Sequence, residues 1–164
     1  MQIFRLGCLE GIKLAACLGM ATAIVQSAHG ETEIPFDPET PHHLSLVLAG
    51  TSVPAENATA FTLGADYEYR LTRRVGLGAV VEHAFGDIDA TTALAVADIH
   101  LWRGLATQIG PGVEIIDGDV FAAGRIGMLY EIELENGITL SPQVHYDIAK
   151  ESSIVFGIAI GRAF

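Results

Sequence analysis

The feature that most constrains this chain is an alternation of large apolar side chains with small or polar ones. In residues 138–148, apolar side chains occupy the even positions, while threonine, serine, glutamine, histidine and aspartate occupy the odd ones. The same period of two runs through residues 61–71 and 154–161. Successive side chains of a β-strand point to opposite faces of the sheet, so this period predicts strands with one bulky apolar face.

Turn-forming residues divide the alternating region into eight segments of about a dozen residues each. The segments are 42–53, 59–71, 75–86, 91–102, 105–117, 120–134, 138–150 and 152–164. Asn136-Gly137, between the sixth and seventh segments, is typical of a tight hairpin turn. Short turns join antiparallel neighbours, so we predict an all-β, eight-stranded, up-and-down antiparallel barrel over residues 42–164.

The distribution of side-chain size decides between a membrane barrel and a soluble one. The polar face is small and rich in glycine, whereas the opposite face carries large aliphatic residues, with aromatic residues near the strand ends. A lipid-facing barrel has this arrangement, and a closed sheet leaves no backbone edge in lipid. We therefore predict a transmembrane β-barrel, and a soluble periplasmic lipocalin-like barrel is the alternative architecture. The aromatic residues expected at one rim are Phe61, Phe85 and Tyr146, and those at the other are Tyr69, Tyr130 and Phe164.

The first 30 residues have a different composition from the rest. Arg5 and Lys13 precede the uncharged run 14–25, and Ala28-His29-Gly30 ends the segment with a small-x-small pattern. This order is typical of a secretory signal peptide, and the run is too short for a permanent transmembrane helix. We expect residues 1–30 to be a signal peptide.

A lead-in of different character follows, because residues 31–41 contain three prolines and four acidic residues. We expect this segment to be an extended periplasmic connection to the barrel. Cys8 and Cys17 are the only cysteines, so the chain after residue 30 has no thiol chemistry. Lipidation at Cys17 is an alternative, which Lys13 opposes because it leaves no apolar run immediately upstream.

The final segment carries the most specific pattern. Residues 154–164 end in phenylalanine, with apolar residues at alternate positions before it. This ending resembles the last strand of outer-membrane β-barrel proteins. The outer-membrane assembly machinery recognises that strand. The assembly signal that this resemblance implies consists of Phe156, Ile158, Ile160 and Phe164. Arg162 departs from the pattern, where an aromatic or aliphatic residue is usual, but near a rim its head group can reach the lipid surface.

With its glycine-rich strands, residues 42–164 resemble the small, porin-like superfamily of eight-stranded outer-membrane barrels. The resemblance implies a protein of the cell envelope, located in the outer membrane of a Gram-negative-type bacterium. Members of the superfamily range from passive stabilisers to small-molecule channels and lipid-modifying enzymes, so fold alone selects none of these functions. We expect a structural or envelope-stabilising role, and a narrow channel for small solutes or cations is the alternative.

Strict alternation also places a set of charged residues in the lumen. Counting back from the Asn136-Gly137 turn puts Arg125 opposite Asp147, and Arg70 needs a partner across the lumen. The acid excess favours a hydrated, hydrogen-bonded interior, because buried unpaired carboxylates are costly. A cation-preferring conduit is the alternative, with space left by inward glycines such as Gly64, Gly76, Gly78, Gly110, Gly112, Gly157 and Gly161. The expected lumen charge network comprises Asp66, Glu68, Arg70, Glu82, Asp98, His100, Glu114, Arg125, Glu131, Glu133, His145 and Asp147.

Catalysis is not expected. His145-Tyr146-Asp147 resembles the His-x-Ser motif of outer-membrane lipid A deacylases, but aspartate stands where the serine nucleophile would be. A lipid-modifying enzyme is therefore the least favoured alternative. Adjacent His42 and His43 point to opposite faces of a strand, so we expect no metal site and no cofactor.

The charge balance limits the partners. A formal net charge of −11 disfavours nucleic acid. If the N-terminus lies in the periplasm, the outer turns are acidic, and their carboxylates suit divalent cations shared with lipopolysaccharide phosphates. The expected partners are therefore outer-membrane lipid, lipopolysaccharide and the assembly machinery, and the sequence leaves the oligomeric state open.

Overall fold

The structure is a computed structural model that describes residues 36–134 and 137–164. The predicted signal peptide at 1–30, the first part of the lead-in and Asn136 lie outside the described residues. Within the described ranges, no helix is long and apolar enough to cross a membrane. The strands are β1 (His42–Val53), β2 (Ala58–Arg70), β3 (Val75–Ala84), β4 (Ala90–Trp102), β5 (Leu105–Ile116), β6 (Asp119–Tyr130), β7 (Ile132–Glu133), β8 (Ile138–Ile148) and β9 (Ser153–Ala163).

The strands form one antiparallel sheet that closes on itself. Each of the strands β1 to β5 pairs with the next along the chain, β8 pairs with β9, and β9 returns to pair with β1. Both β6 and the two-residue β7 pair with β8, so together they form one strand of an eight-stranded barrel. The predicted eight-stranded, antiparallel, up-and-down barrel is confirmed.

The prediction of one continuous strand over residues 120–134 was wrong, because the strand is interrupted at Glu131. The backbone amide of Glu131 donates a 2.7 Å hydrogen bond to the carbonyl of Gly104, in the turn between β4 and β5. A side chain at Gly104 would collide with the Glu131 carbonyl, so glycine permits this contact. The diversion of Glu131 toward the turn separates β6 from β7.

Alternation along each strand sorts the side chains into two sets. The inward set is mostly small or polar and is buried, as in Ser45, Val47, Ala49 and Thr51 of β1. The outward set contains large apolar side chains with 37–63% of their surface exposed. Outward residues of the central band include Leu46, Leu63, Val81, Ile109, Val113, Ile126, Met128, Val144, Ile158 and Ile160.

A β-bulge breaks the alternation at the end of β4. His100 pairs with Ala106 and Trp102 pairs with Leu105, so one extra residue lies between these pairs. Consequently Leu101 and Trp102 are both exposed, with 48% and 54% of their surfaces accessible. Strict alternation would have placed Trp102 in the lumen, and the bulge returns it to the outer surface.

Several inward glycines mark places where adjacent strands bend toward each other. A Cβ at Gly78, Gly110 or Gly112 would collide with a backbone carbonyl of the neighbouring strand. Glycine is therefore needed at these positions for close backbone approach. The sequence analysis expected these glycines to leave open space for a conduit. At these three positions the backbone of the neighbouring strand lies in that space instead.

Candidate functional site

The charged interior is the candidate functional site. Arg125 organises the half of it that lies farther from His42 and Phe164. The Arg125 guanidinium donates to both carboxylate oxygens of Asp147, at 2.7 Å each, across the β6–β8 pair. It also donates to both oxygens of Glu82 on β3, at 3.1 and 2.6 Å. All three side chains are buried, with Arg125 only 3% exposed. The predicted Arg125–Asp147 register is confirmed, and Glu82 adds a link across the lumen to a strand that is not a neighbour.

Glu68 and Arg70 organise the half that lies nearer to His42 and Phe164. Glu68 accepts hydrogen bonds from Arg70 and from the His100 ring at 2.8 Å. Arg70 in turn donates to Glu131, at 3.1 Å, on the opposite side of the barrel. The sequence analysis predicted that Arg70 needs a partner across the lumen, and the structure shows that this partner is Glu131.

Gln108 on β5 links two further carboxylates. Its side-chain nitrogen donates to Asp66 of β2 and to Asp98 of β4, at 3.0 Å each. Gln108 is fully buried. The sequence analysis did not include it, because a single neutral amide carries no charge signal. An amide nitrogen carries two hydrogens, so it can donate one hydrogen bond to each of the two carboxylates.

The remaining members of the expected network are less well connected. Neither ring nitrogen of His145 has a hydrogen-bond partner among the described residues, although the side chain is buried. Glu114 lies inward on β5, and one of its buried carboxylate oxygens likewise has no partner among the described residues. Glu133 is exposed on β7, at the mouth of the barrel. His145 and Glu114 are buried on the inward face, whereas Glu133, which was expected in the lumen, is exposed. The structure shows none of the three in the ion pairs of Arg125 or in the ion pairs that join Arg70 to Glu68 and Glu131.

Apolar side chains fill much of the remaining interior. One buried cluster contains Val47, Ala49, Val155 and Ala159. A second contains Val80, Leu94 and Val96, with Ala123 packed against it. Alternation along a strand predicts which of these residues face inward, but it does not predict which of them pack together across the lumen.

The space left in the interior is small. A cavity of about 30 Å³ lies among Asp66, Glu68, Asp98 and their neighbours, and one of about 20 Å³ lies beside Glu82, Glu114 and Asp147. Each has room for one or two water molecules. A wider opening of about 410 Å³ is lined in part by Arg70, Glu133 and Arg162, and it is the mouth at the end of the barrel where β1 begins and β9 ends.

Solved structures of similar shape were identified for this barrel. A protein from the de novo design of transmembrane beta-barrels aligns with a TM-score of 0.51 and 14% identity, over 79% of this chain and all of that one. The solution NMR structure of the designed TMB2.3 aligns with a TM-score of 0.51 and 16% identity, over 78% and 98%. The chain has the fold of a transmembrane β-barrel.

A further similar structure is the outer membrane protein AlkL in DMPC bilayers, by solid-state NMR. It aligns with a TM-score of 0.49 and 12% identity, over 84% of this chain and 93% of that one. No protein-family model matches the chain, and no curated protein sequence matches it.

The barrel has two rims of different character. The terminal rim contains His42, Phe164, the end of β7 at Glu133, the start of β8 at Ile138, and the turns 71–74 and 103–104. The distal rim contains the turns 54–57, 85–89, 117–118 and 149–152. Phe61 and Phe85 stack near the distal rim, with ring centroids 6.1 Å apart. His42 contacts the Tyr69 and Phe164 rings at the terminal rim. Aromatic residues therefore border the apolar band at both ends.

The outward face of β9 carries the residues of the expected assembly signal. Phe156, Ile158, Ile160 and Phe164 are each between 37% and 58% exposed. The Arg162 side chain lies on this face beside Leu44 and Ile138 of the neighbouring strands. In residues 36–134 and 137–164, no group of three or more histidine, aspartate, glutamate or cysteine side chains is arranged to hold a metal ion.

Proposed function

We propose that this chain is an outer-membrane β-barrel of the small, porin-like superfamily, exported by an N-terminal signal peptide. Its role is to stabilise the envelope as a structural barrel, without catalytic turnover. The observation that carries the proposal is the separation of its surfaces. Large apolar side chains face outward with aromatic rims, whereas a network of charged side chains is buried inside the closed sheet, among them those of Glu68, Glu82, Asp98, Arg125 and Asp147.

The outward face is unfavourable in water and favourable in lipid. Contiguous exposed apolar surface on a soluble monomer rarely exceeds a few hundred Å², yet here it encircles the barrel. The strands that cross this band, such as Ala58–Arg70 and Leu105–Ile116, contain 13 and 12 residues. A tilted strand needs about 9–11 residues to cross the hydrocarbon. A soluble lipocalin-like barrel would have the opposite distribution of side chains.

The filled interior supports a structural role over the channel alternative. Arg125 reaches from β6 to β3, and Arg70 reaches from β2 to Glu131, so two ion-paired layers cross the lumen. An eight-stranded barrel has room for little more than its own side chains. Planar-bilayer recording with refolded protein is expected to show no single-channel steps, and reproducible steps would favour the channel.

Depth-dependent quenching tests whether the outward face meets acyl chains. In a chain with Cys8 and Cys17 replaced by serine, an environment-sensitive fluorophore is attached at Ile126→Cys, in the central band. The matched control carries the fluorophore at Ala55→Cys, in an exposed turn of the distal rim. In vesicles containing mid-chain spin-labelled lipid, we expect strong quenching at position 126 and weak quenching at 55. Equal weak quenching at both positions would contradict membrane insertion.

The absence of catalysis is tested separately. Expression in a bacterium whose lipid A is analysed by mass spectrometry is expected to leave the lipid A masses unchanged. If they change, loss of the change in His145→Ala would assign a lipid-modifying activity to this barrel and overturn the structural proposal.

A further inference from the structure

Two neighbouring turns of the terminal rim are basic. The turns 71–74 and 103–104 contain Arg73, Arg74 and Arg103 and no acidic residue. The turns of the distal rim, by contrast, contain Glu56, Asp87, Asp89, Asp117 and Glu151 against one basic residue, Lys150. The terminal rim also carries the exposed carboxylates of Asp37 and Glu133, which lie outside these two basic turns.

The two basic turns are neighbours in the barrel. They lie at the same end of consecutive hairpins, separated only by β3 and β4. The backbone carbonyl of Arg74 accepts a 2.8 Å hydrogen bond from the amide of His100, which joins the first turn to β4 just before Trp102 and Arg103. Arg73 and Arg74 are exposed.

Trp102 adds an exposed apolar surface beside the two basic turns. The β-bulge directs it outward, and the Arg103 guanidinium lies over its ring, 4.5 Å from the centroid. Exposed Leu77 and Leu101 extend the apolar surface toward the middle of the barrel. Tryptophan favours the interface between head groups and acyl chains, so its position marks the depth at which lipid phosphates lie.

We propose that Arg73, Arg74, Arg103 and Trp102 form a binding site for the phosphodiester head group of an anionic phospholipid. The site, which we call the basic rim site, is in the leaflet at the terminal rim. The guanidinium groups bind the phosphate by charge-assisted hydrogen bonds, and the acyl chains lie along Leu77 and Leu101. The net negative charge of the lipid distinguishes it from a zwitterionic lipid with the same phosphate. This proposal rests on the proposed membrane location.

Trp102 is the only tryptophan of the chain, so its fluorescence reports on the lipid at this site. The barrel is reconstituted in vesicles of phosphatidylcholine and phosphatidylglycerol, with either lipid brominated on its acyl chains to quench tryptophan. The ratio of the two quenching curves gives the relative binding of anionic to zwitterionic lipid next to Trp102. Each arginine near an anionic surface contributes about 1 kcal/mol, so we expect a preference on the order of fivefold or more.

The variant R73Q/R74Q/R103Q removes the charge and is expected to reduce this ratio to about one. The charge-matched variant R73K/R74K/R103K is expected to retain most of it, and Arg162→Gln, elsewhere on the terminal rim, to leave it unchanged. Compact migration on unheated gels verifies that each variant is folded. A ratio near one for the unmodified chain, or an equal ratio in R73Q/R74Q/R103Q, would overturn the basic rim site. Absence of quenching by both brominated lipids would instead contradict membrane insertion itself.

Discussion

Replacing Arg125 by methionine tests how far a buried ion pair holds this barrel together. The guanidinium makes four hydrogen bonds of 2.6–3.1 Å to Glu82 and Asp147, and all three side chains are almost fully buried. Methionine has a similar length and no charge, so the substitution leaves two carboxylates facing each other without their cation.

Removing one partner of a buried ion pair costs about 3–5 kcal/mol, chiefly because the other partner stays buried without compensation. With a urea dependence of about 2 kcal/mol per molar, the midpoint of unfolding is expected to fall by about 2 M. The triple variant R125M/E82Q/D147N removes the charge from all three residues at once. We expect it to regain at least half of the lost stability, since replacing a whole buried pair is often nearly neutral.

Equilibrium unfolding in vesicles measures both variants, with the emission wavelength of Trp102 as the signal. Arg162→Gln, at an exposed arginine, serves as the control and is expected to shift the midpoint by less than about 0.5 M. Two results would refute the conclusion that the Arg125 ion pairs stabilise the barrel. One is a loss of less than about 1 kcal/mol in the free energy of unfolding of Arg125→Met, and the other is a triple variant no more stable than Arg125→Met.

Two further predictions concern packing. Gly110→Ala is expected to destabilise the barrel by about 1–3 kcal/mol because its Cβ would meet the Ala95 backbone. Gly124→Ala, whose Cβ would have its nearest neighbour at 3.8 Å, is expected to change stability by less than about 0.5 kcal/mol, and equal losses in both would contradict the close approach at Gly110. His145→Leu is expected to preserve or raise the free energy of unfolding by about 1 kcal/mol, because both buried ring nitrogens have no partner among the described residues. Urea unfolding measures this change, and a loss above about 2 kcal/mol would show that the ring is hydrogen-bonded in the folded barrel.

The strands and their facing were predictable because a strand has a single side-chain period. β1 was predicted with its observed bounds, His42–Val53, and the bounds of the other strands differ by one or a few residues, apart from the interruption at Glu131. Each segment has one bulky face, and a shift of one residue would turn that face inward, so register and orientation follow from the same pattern. The opposition of Arg125 to Asp147 followed from this register alone.

The irregular features were not predictable because they arise from contacts between strands that are distant in sequence. The interruption at Glu131 depends on the turn at Gly104, and the bulge before Trp102 depends on pairing with β5. Similarly, Glu82 and Gln108 acquire their roles only when the closed sheet brings β3 opposite β6 and β5 opposite β2. Alternation fixes which side of the sheet a residue occupies, but not its partner across the lumen.

These cross-lumen contacts constrain the barrel in a way that backbone pairing cannot. The hydrogen-bond ladder joins each strand only to its two neighbours, so it does not by itself hold the cross-section of the barrel round. Arg125 joins β6 to β3, and Arg70 joins β2 to Glu131 beyond β6, which ties together strands on different sides of the cross-section at two depths. The Arg125 pairs are almost fully buried, and ion pairs act more strongly in a low-dielectric interior, where neither partner can exchange its bond for one to bulk water. In the proposed structural role, these ion pairs therefore serve as cross-braces between strands that the hydrogen-bond ladder does not join.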